Sequence, residues 1–177
     1  EIYETYGMTE TITHIAVKKI HPPESEKQNF KTLPEVRISI NDKNCLVIDA
    51  PKISKNPFIT KDVVNLISDT EFKWLGRYDN IINSGGVKLF PEQIETKLAV
   101  LIDSRFFVGG LPDEKFGQKL ILVLQGEVVI DDLSKKIASL PSLEKYEIPK
   151  AIYSLPAFIE TETGKIRRKQ TLGLLKN

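Results

Sequence analysis

Apolar and polar residues alternate with period two through Val36-Arg37-Ile38-Ser39-Ile40, and an apolar run Cys45-Leu46-Val47-Ile48 follows the turn-forming Asn41-Asp42-Lys43-Asn44. This pattern predicts a β-hairpin. Further extended segments are predicted at Val63 to Ile67 and Phe72 to Leu75, and Pro22-Pro23 with the polar stretch Glu24 to Asn29 marks a loop before them. After Asp79 the period changes. Pro91 suits a first helical residue, Glu92 and Glu95 complement a helix N-terminus, and Ile94, Leu98, Leu101 and Ile102 recur at helical spacing. Strands are predicted at Arg105 to Val108, ended by Gly109-Gly110-Leu111-Pro112-Asp113, and at Leu120 to Leu124. Asp131 is placed to cap a second helix carrying Leu133, Ile137 and Leu140 and stopped by Pro141. Ala151 to Ser154 reads as a strand, and Arg168 to Leu175 as a last short helix. The chain therefore divides near Arg77 to Asn80: residues 1–78 read as the end of a larger β-rich domain, and residues 79–177 as a small α+β domain.

Composition narrows the function. With 177 residues, 41% hydrophobic and 28% charged, the chain can bury an ordinary globular core. A formal net charge of +1 provides no general field for nucleic acid or an anionic membrane, so phosphate binding must be local. Cys45 is the single cysteine and lies in an apolar run, which predicts a buried thiol. No apolar stretch approaches the roughly 18 residues that span a bilayer, so no membrane span is expected, and a single cysteine, which can form no internal disulfide, suits a reducing cytoplasm. The chain starts at Glu1 and its one methionine, Met8, sits inside a motif, so it is expected to be the C-terminal part of a longer protein. His14 and His21 are isolated, with no second ligand at zinc spacing.

Three blocks carry chemistry. Tyr6-Gly7-Met8-Thr9-Glu10 offers an aromatic face, a glycine that permits close backbone approach, a hydroxyl and a carboxylate suited to a hard cation, although these five residues alone read more readily as a strand-to-loop turn with a surface glutamate. Gly76-Arg77-Tyr78-Asp79 is followed by Ser84-Gly85-Gly86-Val87-Lys88-Leu89-Phe90-Pro91-Glu92-Gln93-Ile94-Glu95. Glu162-Thr163-Gly164-Lys165-Ile166-Arg167-Arg168 closes the chain as a turn-forming basic run. Taken together and in this order, the blocks resemble the adenylate-forming (AMP-binding) enzymes, which include acyl-CoA and aryl-CoA synthetases, peptide-synthetase adenylation domains and luciferases.

The resemblance implies the end of a large AMP-binding domain followed by a small mobile α+β domain, with ATP, magnesium and coenzyme A as partners of a small carboxylic acid. It assigns Tyr6, Gly7, Met8 and Thr9 to the adenine and phosphate site, with Tyr6 stacking on the base, and Glu10 to magnesium. Asp62 matches the aspartate that holds both ribose hydroxyls, although Lys61 stands where the family has glycine; on residue chemistry alone Asp62 is equally a solvated loop aspartate. Arg77 is implied at the ribose or phosphate, Asp79 as the hinge, and Ser84, Gly85 and Gly86 at the pantetheine tunnel. Lys165 is implied as the catalytic residue bridging the substrate carboxylate and the α-phosphate. Asn83 stands where many relatives have lysine and Ile159 where they have proline, and His14 lies where relatives build the acyl pocket. The Gly-Gly-Val-Lys-Leu-Phe-Pro form favours CoA ligases over domains that load a carrier protein. A binding module without activity is the rival from a different class.

Overall fold

The structure is a computed structural model and describes residues 1–22, 29–127 and 129–176. Most of the loop expected from Pro22 to Asn29 lies outside the described residues. Two compact units form the chain, Glu1–Asp79 and Asn80–Asn177, and each is described by itself.

The first unit is a seven-stranded sheet of β1 (Ile2–Gly7), β2 (His14–His21), β3 (Phe30–Thr32), β4 (Arg37–Ile40), β5 (Cys45–Asp49), β6 (Phe58–Leu66) and β7 (Glu71–Arg77), in the order β1-β2-β3-β7-β6-β5-β4. Every adjacent pair is antiparallel. The predicted hairpin is β4–β5, registered from Arg37↔Asp49 to Ile40↔Leu46. Its turn is held by the Asn41 carboxamide oxygen, which accepts the N–H groups of Lys43 and Cys45 at 3.0 Å. Inward residues Ile15, Phe30, Ile38, Leu46, Ile48, Val64 and Phe72 make one core. Cys45, at the start of β5, is buried as well, and burial pushes its thiol up, which leaves it unreactive. Strands β1 and β2 escaped the periodicity reading because Glu4, Lys18 and Lys19 interrupt their apolar positions; Lys18 pairs with Glu4 across the two strands.

The second unit comprises β8 (Ile82–Ser84), β9 (Val87–Leu89), α1 (Pro91–Leu98), β10 (Phe106–Asp113), β11 (Gly117–Gln125), α2 (Ile130–Ala138), β12 (Ala151–Leu155) and α3 (Arg168–Gly173). Its sheet is ordered β10-β11-β8-β9, with β12 parallel to β11. Successive residues of β11 serve opposite faces: Leu120, Leu122 and Leu124 pack with Ile94 and Leu98 of α1 and Leu133 and Ile137 of α2, while Ile121 and Val123 pack with Phe107, Phe158 and Leu172. Burial on both faces explains the unbroken apolar run.

Three boundaries differ from the sequence reading. Strand β10 runs through Gly109-Gly110-Leu111-Pro112 without a break, because a side chain at Gly109 would meet Leu172 and one at Gly110 would meet Ile82, so these glycines serve close packing. Pro112 is tolerated because β10 lies at the sheet edge. Helix α1 ends at Leu98, and Ile102 enters the core from the turn beyond it. Helix α2 starts at Ile130 with Val129 as its N-cap, so Asp131 is a first-turn residue complementing the helix dipole, with no side-chain cap bond.

An ion pair closes the exposed side of β10. Arg168 forms two bonds to the Glu95 carboxylate, one of 2.8 Å from Nη2 to Oε2. Glu95 also accepts the Val108 N–H at 2.7 Å, and Arg168 donates to the Val108 carbonyl at 3.1 Å. The pair thus takes both outward backbone groups of an edge residue, as a neighbouring strand would. Burial raises the Glu95 carboxyl above its ordinary range, and the Arg168 bonds oppose that shift. Arg168→Met should cost the second unit about 3 kcal/mol by leaving a desolvated carboxylate unpaired, whereas Glu95→Leu combined with Arg168→Met should cost less. Hydrogen exchange of the β10 and β11 amides in the three variants checks the order.

Candidate functional site

Asp62 lies in the middle of β6, where it is buried, with its side chain only 8% exposed. The loop reading is therefore replaced by a strand one: β6 begins at Phe58, five residues before the segment expected at Val63, because Phe58 and Ile59 pair with Ile48 and Val47. A carboxylate in this position needs donors. Tyr6 Oη donates to Oδ2 at 2.7 Å, and Trp74 Nε1 and Arg77 Nη1 each donate to Oδ1 at 3.2 Å. The Asp62 N–H itself is held by Thr60 Oγ1 at 3.0 Å.

Simple alternation would send Trp74 and Arg77 to opposite faces of β7. The ladder shows Val64 opposite Trp74 but Val63 opposite Gly76, so Leu75 is an extra residue, and this β-bulge turns both side chains to Asp62. Trp74 and Thr60 are the members of the network that the motif reading did not find. The only sequence signal for Trp74 was its place in the predicted strand Phe72 to Leu75, where nothing marked its face.

The Tyr6 ring packs against Phe30 at 5.8 Å and Phe72 at 5.3 Å between centroids. Burial, and secondarily the Asp62 bond, drives its phenol far above the ordinary range, so it remains a donor. Beyond Tyr6 the backbone turns sharply. A side chain at Gly7 would lie 2.8 Å from Thr13 O and His14 Cα, so this glycine permits an approach within the chain itself. Thr9–Thr11 form a single 3₁₀ turn in which buried Thr11 accepts the Met8 N–H at 3.1 Å. Thr9 and Glu10 are exposed on that turn. Ile12 follows with φ 63°, a left-handed conformation that is strained for a β-branched residue. Among the described residues no group of three or more His, Cys, Asp or Glu could hold a metal.

Asp79 is exposed and accepts a bond from Lys61 Nζ at 2.7 Å. In the second unit, Ser84-Gly85-Gly86 form the β8–β9 turn, with φ 58° and 83° at the two glycines, as a tight hairpin turn requires. Lys165 sits on a loop closed by Thr161 and Lys165 backbone bonds, and Arg105 donates to the Gly164 carbonyl at 3.2 Å. The Lys165 ammonium is exposed and makes no recorded bond or ion pair among the described residues. Tyr6, Asp62 and Arg77 are thus brought together within the first unit, and Ser84 to Gly86 and Lys165 belong to the second.

The fold of both units is that of the adenylate-forming enzymes. No family model matches the chain. Its homologues are 2-succinylbenzoate–CoA ligases and acyl-CoA synthetases of the AMP-forming ligase superfamily, matched over their C-terminal portion. The 2-succinylbenzoate–CoA ligase of Lactococcus lactis is 28% identical over 188 aligned positions, covering 97% of this chain and 41% of that protein. A crystal structure of an acyl-CoA synthetase (AMP-forming)/AMP-acid ligase II-like protein from Dyadobacter fermentans is 36% identical, with TM-score 0.52, over 98% of this chain and 51% of its own. The o-succinylbenzoate–CoA synthetase of Bacillus subtilis, solved with its acyl-adenylate intermediate, shares the fold with TM-score 0.77 at 22% identity over 99% of this chain and 41% of its own. The chain therefore spans about half or less of the length of these relatives. No helix among the described residues is long and apolar enough to cross a membrane.

Tyr6→Phe should destabilise the first unit by about 1.5–3 kcal/mol, the range for a hydrogen bond to a charged group. Trp74 is the one tryptophan and its indole touches Asp62, so its fluorescence during urea unfolding reports this unit. Because the folded phenol pKa is raised, the stability it contributes is complete below about pH 10 and is lost as pH rises further, since only the unfolded chain releases the proton. That alkaline loss should be smaller in Tyr6→Phe.

Proposed function

We propose that this chain is the C-terminal portion of an ATP-dependent carboxylic acid–CoA ligase, with 2-succinylbenzoate as the acid. The substrate reading is supported by the 2-succinylbenzoate–CoA ligase of Lactococcus lactis, which aligns along 97% of the chain. In the first half-reaction a carboxylate oxygen attacks the α-phosphorus of ATP and pyrophosphate leaves. In the second, the sulfur of CoA attacks the acyl carbon and AMP leaves.

The observation that carries the nucleotide reading is the Asp62 carboxylate, held by three donors at the end of the Tyr6 motif. A carboxylate accepts about four hydrogen bonds, so roughly one position remains for a ribose hydroxyl. A second hydroxyl would displace a resident donor. Arg77 is the one to yield, since its side chain is 45% exposed, and once released it can turn to the ribose or a phosphate. The Tyr6 and Trp74 donors remain and keep the carboxylate oriented. The Tyr6 ring, packed on Phe30 and Phe72, is fixed in place for an adenine to lie against.

Glu10 on its exposed turn suits magnesium, which is commonly held by one protein carboxylate together with nucleotide phosphates; the ion would neutralise charge on those phosphates. Thr9 beside it offers a hydroxyl to phosphate. Lys165 supplies a compact unpaired ammonium to oxygens that gain negative charge during adenylate formation. Ser84 to Gly86 form a turn with no side chains at Gly85 and Gly86 to obstruct the pantetheine arm, and the Gly85 N–H is held by the Phe116 carbonyl at 2.9 Å, which fixes the turn. Rotation of the small domain about Asp79 between the two half-reactions brings Lys165 and this turn to the acyl group in succession.

In the full-length protein Lys165→Ala should cut adenylate formation from 2-succinylbenzoate and ATP by roughly 10² or more, while conversion of supplied acyl-adenylate with CoA persists. Single-turnover measurement of each half-reaction tests this. Equal loss in both would remove Lys165 from the assigned role, and failure of the wild-type protein to form an adenylate from any carboxylic acid would remove the ligase reading.

A further inference from the structure

The family pattern has glycine where this chain has Lys61, and the structure gives that lysine a definite partner. Lys61 projects from β6 and its ammonium lies 2.7 Å from Asp79 Oδ2, the last residue of the first unit. The preceding residue is held as well, because Lys43, in the β4–β5 turn, places its ammonium 5.1 Å from the centroid of the Tyr78 ring. On the other side of the boundary Asn80 Nδ2 donates to Glu92 Oε1 at 2.6 Å, which ties the first residue of the second unit to the first turn of α1. The other Glu92 oxygen is buried without a partner, so the carboxylate is fixed by packing and has Asn80 as its recorded hydrogen-bond donor.

We infer that Lys61 and Glu92 are positioning residues that anchor Asp79 and Asn80 each to its own unit, confining the pivot between the units to the backbone link joining these two residues. Their relevance to catalysis rests on the two-step reading above. A glycine at position 61 would leave Asp79 without this anchor, and the backbone torsions on its N-terminal side would then join the motion. The two anchors differ in kind. The Lys61–Asp79 pair is exposed, with side chains at 63% and 57%, so salt weakens it. The Asn80–Glu92 bond is partly buried and should resist salt.

The test uses the whole 177-residue chain with Cys45→Ala and spin labels on cysteines at Lys73 and Asp131, one on each unit, read by pulsed dipolar spectroscopy. Lys61→Met should broaden the distance distribution, raising the population outside the parent envelope by roughly 1.4- to 5-fold, the range open to an exposed ion pair. Lys61→Arg should restore the parent width. Salt at about 0.5 M should broaden the parent but leave Lys61→Met unchanged. Glu92→Ala should broaden the distribution at low and high salt alike. A Lys61→Met distribution superimposable on the parent at low salt overturns the inference for Lys61, and the same result for Glu92→Ala overturns it for Glu92. No nucleotide or CoA is present in these measurements, so their outcome is separate from that of the ligase assays.

Discussion

Strands β1 and β6 stand four places apart in the sheet, so a flat sheet would separate them by roughly 19 Å. Yet the Tyr6 hydroxyl touches the Asp62 carboxylate at 2.7 Å. The sheet must therefore curl until its two regions face one another, and the short β3, only Phe30–Thr32, allows this by pairing with its neighbours over few residues. Phe30 and Phe72 fill the space beneath, stacked at 5.4 Å. The curl, the aromatic core and the proposed ribose site meet at one partly buried hydrogen bond between residues distant in sequence. Stability and the proposed nucleotide binding are for that reason coupled at this point of the molecule.

The second unit was more legible in the sequence than the first. Its helices and strands carry strong apolar periodicity, and Ile94, Leu98, Leu133 and Ile137 all reach the core as their spacing indicates. The ends were less readable because they depend on neighbours: Gly109 looks like a breaker until Leu172 occupies the space above it. In the first unit the β4–β5 hairpin was plain, whereas β1 and β2 were hidden by the charged residues that interrupt their apolar positions. A site on a curled sheet leaves no local periodic trace. The motif resemblance pointed to Tyr6, Asp62 and Arg77 as chemistry. It could not reveal that they are one network, nor that a bulge at Leu75 brings Trp74 into it.

Lys61 illustrates how a departure from a family pattern acquires meaning only in three dimensions. Along the sequence it weakens the match of Phe58-Ile59-Thr60-Lys61-Asp62 to a nucleotide-binding segment. In the fold Asp62 is buried and Lys61, the next residue of the same strand, points outward to Asp79. Strand alternation separates the two tasks, one facing the interior and the other the boundary. The proposed nucleotide contact of Asp62 therefore does not involve the side chain of the lysine beside it.

The Glu95–Arg168 pair has a consequence for the behaviour of the whole polypeptide in a crowded solution. It occupies the N–H and C=O of Val108, the groups that an uncovered edge strand would offer to another chain. Arg168 follows directly on the loop that carries Lys165. Loss of this C-terminal segment by proteolysis would turn β10 into an adhesive edge carrying the apolar side chains between Phe106 and Leu111. A clipped molecule would be marked by self-association.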